Sequence, residues 1–207
     1  MCISFEISVI SYIFGLTLFF IVFERGMYND KWIAIFMFYI LQMQLLEAVM
    51  WKDQSCKGYN QKASMIAYFF TILQPMANYL TMMYTVGYND KTKYVTLLMI
   101  PYFISSIWYA INNLPSEDEL CTKPETECWL EWKWMKKTAY WWIWLISLLI
   151  PFLALPDQSF NGLFPAIYIL VSLVISFNFF TDMKYISKPS LWCLLQALLP
   201  MFILALG

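Results

Sequence analysis

Residues 63–89 read ASMIAYFFTILQPMANYLTMMYTVGYN, a run of 27 positions without a charged side chain. A helix needs about 20 mainly apolar residues to cross a hydrocarbon core ~30 Å thick, and this run exceeds that length. Charge is equally absent from 7–23, 94–116, 138–156, 158–181 and 189–207, and 32–51 is interrupted only by Glu47. All 13 Lys and Arg residues fall between these segments. The pattern predicts an all-α polytopic membrane protein, a bundle of seven transmembrane helices forming one domain over 1–207. The expected helices are 5–23, 32–51, 63–86, 94–112, 138–155, 162–181 and 190–207, with one long loop at 113–137.

Composition agrees. Hydrophobic residues make up 61% of the chain and charged ones 13%, about half the usual share of a soluble domain. There is neither the charge excess of a disordered chain nor the basic stripe of a nucleic-acid binder, so no nucleic-acid partner is expected. The absence of histidine excludes His-ligated metal, haem on a proximal His and Ser-His-Asp chemistry. No CxxC or Gly-rich phosphate loop occurs either, so no cofactor, metal or catalytic constellation is expected. A transmembrane barrel would show alternating strands, and a removable signal peptide would show a basic start. Residues 1–23 have no basic residue, so the first helix is expected to be retained. The expected partners are the lipid bilayer and other membrane subunits or further copies of the chain.

The long loop carries six acidic residues and two of the five cysteines. Trp129, Trp132, Trp134, Trp141, Trp142 and Trp144 cluster at its end. Tryptophan favours the headgroup region, which predicts an interfacial belt, with an aromatic cage or docking surface as the alternative. Numbered from the N-terminus, loops 2, 4 and 6 carry nine Lys, and loops 1, 3 and 5 carry four Lys or Arg. The positive-inside rule then places the even loops in the cytoplasm. Cysteine placement argues the reverse. Cys56, Cys121 and Cys128 share the even-loop side, where two of the three could pair if that side is oxidising. Cys2 and Cys193 read as small apolar residues.

Glu47 is the acid well inside a span. It is either a carboxyl near the interface or a buried acid with a partner, structural or a site for a proton or cation. Gln44 precedes it by one turn. Asn60, Ser64, Thr71, Gln74, Asn78, Thr81 and Thr85 fall within an arc of about 100° on the third helix. Counted from loop 2, Glu47 is expected level with residues 66–68, Gln44 near 70, and Gln74 at the midplane. This outlines a path from the loop 2 mouth past Glu47 and Gln44 to Gln74 and Asn78. Pro75 removes an N–H, which frees the Thr71 carbonyl to accept from Gln44 or water. The same residues would also serve as glue between helices 2 and 3. The functional expectation is a small transporter or channel for a polar solute, proton or cation; the alternative is an assembly subunit of a membrane or virion.

No Lys lies in 189–207 to hold retinal, and the Pro-Gln pairs of sugar carriers are missing. The run LQMQLLEAVMW at 41–51, with Cys56, Asn60 and LQPMANYL at 73–80, resembles a family of uncharacterised multi-pass membrane proteins of giant DNA viruses and protists. The matching positions are Gln44, Glu47, Trp51, Cys56, Asn60, Gln74 and Pro75, across about 40 residues. The resemblance implies a fold and a viral or protist origin, and no activity.

Overall fold

The computed structural model describes residues 4–27, 29–56, 58–126, 129–135, 139–156, 159–177 and 189–205. Among them are seven α-helices: α1 (Phe5–Arg25), α2 (Asp30–Lys52), α3 (Tyr59–Val86), α4 (Asp90–Asn112), α5 (Tyr140–Leu149), α6 (Phe160–Phe177) and α7 (Pro189–Ala205). The fold is all-α apart from one hairpin. Three helices, α1, α2 and α4, are long and apolar enough to cross a membrane. In α3, 28 residues long, the polar stripe dilutes the apolar character.

The ends of the helices follow local rules. Ser4 caps α1 by accepting from the Ile7 N–H, and Gly26 closes it in the left-handed region at φ 63°. Asn89 and Thr92 form a reciprocal capping box at the start of α4. Ser8, Ser11 and Gly15 are buried on α1. A Cβ at Gly15 would stand 2.6 Å from Leu41, so this small-residue face lets α1 approach α2 closely.

Two sequence expectations change here. The fifth helix, expected over 138–155, is α-helical only to Leu149 and continues as a 3₁₀ turn over Ile150–Ala154. Pro151 has no N–H to continue the α-helical ladder. The expected loop 113–137 contains an antiparallel hairpin, β1 (Lys123–Thr126) with β2 (Trp129–Glu131). This segment is a strap folded onto the bundle, with Leu120, Thr122, Leu130, Trp132, Trp134 and Met135 buried.

The tryptophans correct a third expectation. Trp132, Trp134, Trp141 and Trp144 are fully buried, whereas Trp142 is 41% exposed. The first four do not form an interfacial belt; they form an aromatic column inside the protein. Trp132 stacks on Trp134 at 4.8 Å, Trp134 meets Tyr68 edge-on, and Tyr109 stacks on Tyr140 at 4.0 Å. The indoles serve packing, where each contributes a large apolar area.

Helix α3 is the hub. Proline 75 lacks the N–H that the Thr71 carbonyl would accept, and its ring crowds the preceding turn. Three successive carbonyls accept bonds from three other helices. Tyr39 of α2 donates to the Phe70 carbonyl at 2.9 Å, Trp144 of α5 to Thr71 at 2.7 Å, and Tyr102 of α4 to Ile72. The freed Thr71 carbonyl thus accepts from the Trp144 indole. Trp144→Phe puts a smaller aromatic ring in place of the indole and removes the donor. It should lower stability by about 1–3 kcal/mol, the cost of a buried unsatisfied carbonyl, read by chemical denaturation in detergent.

Candidate functional site

The polar stripe of α3 divides by depth. Near loop 2 it clamps the strap. Asn60 donates to the Met50 carbonyl at 3.0 Å and to Thr122 at 2.8 Å, and its side-chain oxygen accepts from the Thr122 N–H at 2.9 Å. Ser64 and Thr122 share a hydroxyl bond of 2.7 Å. The Cys56–Cys121 disulfide lies beside this clamp. Cys128, the third candidate, lies outside the described residues. Asp53 completes the corner: its carboxylate accepts from Ser55 at 2.6 Å and from the Asn60 N–H at 3.1 Å. The Ser55 hydroxyl, followed by the Asn60 N–H, holds the Asp53 pKa below its ordinary value.

Deeper, the stripe faces α5. Thr71 bonds its own helix through Ala67, and Asn78 donates to the Leu148 carbonyl at 2.8 Å. In 3₁₀ register that carbonyl would look to residue 151, which is proline. The Asn78 carbonyl accepts from Trp32 of α2 at 3.3 Å. Gln74 is fully buried, and neither its amide nitrogen nor its oxygen has a hydrogen-bond partner among the described residues; the same holds for Asn78 Oδ1.

The structure does not bring Gln44 and Glu47 to Gln74. Cross-helix bonds pair Asn60 with Met50, Phe70 with Tyr39, and Asn78 with Trp32. In that register Glu47 is level with about residue 63 and Gln44 with about 66, one turn nearer loop 2 than expected from loop counting. Gln74 lies about 12 Å deeper than the Gln44 level, at 1.5 Å per residue. Of the glue expected between α2 and α3, Asn60 bonds the Met50 carbonyl, whereas Glu47 lies against α7. Its carboxyl interacts with the Cys193 thiol of that helix.

On α7, Gln196 follows Cys193 by one turn and donates to Ser172 of α6 at 2.6 Å. Tyr168 donates to the Leu195 carbonyl at 2.8 Å, a second bond between α6 and α7. The polar residues here are Glu47 and Cys193, then Gln44 and Gln196 one turn deeper, with Ser172 and Ser176 on α6. All six are buried. In the sequence Cys193 reads as a small apolar residue, and no pattern singles out Ser172 or Ser176. Their i,i+3 and i,i+4 spacing was the available signal, but a pair so short says little without the helix register.

At the opposite end, Arg25 and Asp30 form a two-pronged ion pair, 2.7 and 2.9 Å, with Asp30 buried. Arg25 also donates to the Ile203 carbonyl at 3.1 Å, and Asn29 to Gly162 at 3.2 Å, tying α7 and α6 to this corner. Beside it opens a cleft of about 530 Å³ lined by Asn29, Lys31, Trp32, Tyr84 and Thr85, among others. The loop 2 end has a shallower hollow of about 360 Å³ over Gly58 and Pro115. Neither Glu47, Gln44 nor Gln74 lines either one. Beneath the strap, the loop 2 mouth of the expected path is covered by the Asn60–Thr122 clamp. The stripe instead approaches the opposite cleft: Thr85 lines it, and Thr81, Asn78 and Gln74 follow inward at one-turn steps.

Among the described residues, no group of three His, Cys, Asp or Glu could hold a metal ion. No protein-family model, no curated protein and no solved structure matches the chain.

Replacing Cys56 and Cys121 by Ala opens a covalent ring of 65-residue separation. In the chain-entropy account this costs about 4 kcal/mol, read as a lower denaturation midpoint that added reductant no longer changes. Because the folded Asp53 pKa is depressed, its contribution is present above the ordinary carboxylate range. That contribution is lost as pH falls through the folded value. Asp53→Asn should therefore flatten the acid limb of a stability–pH curve.

Proposed function

We propose that this chain is a multi-pass integral membrane protein of seven spans that carries a small polar solute. The solute enters the polar stripe of α3 from the cleft on the loop 1, 3 and 5 side. Support for the spans comes from the seven charge-free segments and the exposed apolar faces of α1 and α4. Residues such as Ile10, Ile13, Ile104 and Ile107 point outward there. The disulfide supports an orientation in which the strap and the N-terminus face an oxidising compartment and the cleft faces the cytoplasm.

One observation carries the carrier reading. Gln74 is a fully buried amide with no partner among the described residues, at the inner end of a polar ladder that begins in an open cleft. Buried amides are almost always satisfied, so such a group is suited to a guest with complementary donors and acceptors. Amides and hydroxyls, without a charge, fit a neutral or dipolar solute.

A second reading has its own observation. Asn60 and Asn78 spend their amides on carbonyls of other elements, which is what an assembly subunit of a membrane or virion would need for rigidity. Gln74→Leu separates the two. For a carrier, flux into proteoliposomes should fall roughly tenfold or more, equivalent to about 1.4 kcal/mol of lost binding. Stability should stay level or rise by up to about 1 kcal/mol, since an unsatisfied amide is removed. A fall in stability without any wild-type flux of protons, cations or sugars would favour the assembly role.

A further inference from the structure

We infer that the solute of the α3 stripe is a neutral primary amide or a urea, because the stripe offers oxygen acceptors with one free amide donor at their inner end. This substrate class rests on the carrier reading above and makes it specific.

Most hydrogens along the stripe are already spent. The Thr85 hydroxyl donates to the Thr81 carbonyl at 2.9 Å, Thr81 to Ala77 at 2.8 Å, and Thr71 to Ala67 at 2.8 Å. A hydroxyl carries one proton, so each of these oxygens is left only to accept. The NH2 of Asn78 is turned to the Leu148 carbonyl at 2.8 Å. At the other end of that amide, Oδ1 is buried with no partner among the described residues. Gln74 is the exception. Its Oε1 and Nε2 are both buried and both without a partner among the described residues. It stands one turn from Asn78 on the same helix, so the two amides are neighbours. From the cleft inward the order is Thr85, Thr81 and Asn78 as acceptors, then Gln74 as acceptor and donor together.

That inventory discriminates between solutes. An anion brings only acceptors and would set oxygen against oxygen, with nothing in return for the water it gives up. A bare cation suits the oxygens but strands the Gln74 N–H groups, and exposed Lys31 in the cleft wall repels its approach. A polyol brings one accepting oxygen with every proton. A primary amide has the complementary excess of donors. Its carbonyl accepts from Gln74 Nε2, one N–H returns to Gln74 Oε1, and the second N–H serves Asn78 Oδ1. Urea adds a second NH2 for the threonine oxygens.

Saturation-transfer difference NMR of the purified full chain tests this class, with acetamide and N,N-dimethylacetamide as probes. The two share a carbonyl and differ in their N–H groups. Acetamide should show transfer above that of empty micelles. It should bind roughly tenfold or more tightly than its dimethyl analogue, which would leave buried acceptors facing methyl groups. Gln74→Leu should lose the acetamide signal. Equal binding of both probes, a signal retained in Gln74→Leu, or no transfer to acetamide at all, as for a site holding water alone, overturns the inference. If Gln74→Leu fails to fold, the two probes compared on wild type decide. Flux of another solute without acetamide binding overturns the substrate class and leaves the carrier reading. Acetamide binding with no flux supports the amide site and overturns the carrier reading.

Discussion

A proline in the middle of α3 sets the terms for its neighbours. Without an N–H at position 75 the ladder of that helix cannot close, and in an apolar surrounding water is not at hand to complete it. The side chains that supply donors come from α2, α4 and α5, so one missing hydrogen organises three interfaces. The same logic recurs at Pro151, where Asn78 reaches across to a carbonyl the turn leaves over. Two prolines on adjacent helices are thereby joined by one network, and the aromatic residues around them are chosen for an O–H or N–H as much as for bulk.

Around this hub the polar groups are sorted by depth and by neighbour. At the strap end they hold backbone to backbone through Asn60 and Thr122. At the other end the Arg25–Asp30 pair gathers the termini of α1, α2 and α7. Between these two tied ends lie two separate polar interiors, one along α3 toward α5 and one between α2, α6 and α7. A bundle fixed at both ends can tolerate unsatisfied groups in its middle, because the local cost is borne by the clamps. That is the physical setting in which a buried amide can be kept for binding.

Much of the helical architecture was legible from charge placement, since a charge-free run of sufficient length has few other structural uses. The Gln74, Asn78 and Asn60 stripe was legible for the same reason, as periodicity survives in any context. Partners were not. Depth counted from loop 2 assumed that α3 begins at Ala63, whereas it begins at Tyr59, with Asn60 inside the first turn. That shift moved Gln44 and Glu47 away from Gln74. The tryptophans failed differently: a cluster next to a span is equally compatible with a belt and with a folded strap, and only tertiary contact distinguishes them. Cys193 hid because a lone cysteine in an apolar run looks like a small hydrophobe.

The disulfide has a consequence for topology that does not depend on counting spans. Cys56 and Cys121 bracket α3 and α4, and their sulfurs are bonded, so both ends of that bracket lie on one face of any bilayer the chain occupies. Whatever number of crossings the enclosed segment makes, it is even. Insertion of α3 alone would leave the two thiols on opposite faces and the ring unclosable. In the seven-span arrangement proposed above, the bond acts as a parity check on insertion, because α3 and α4 must both cross before the two thiols can meet.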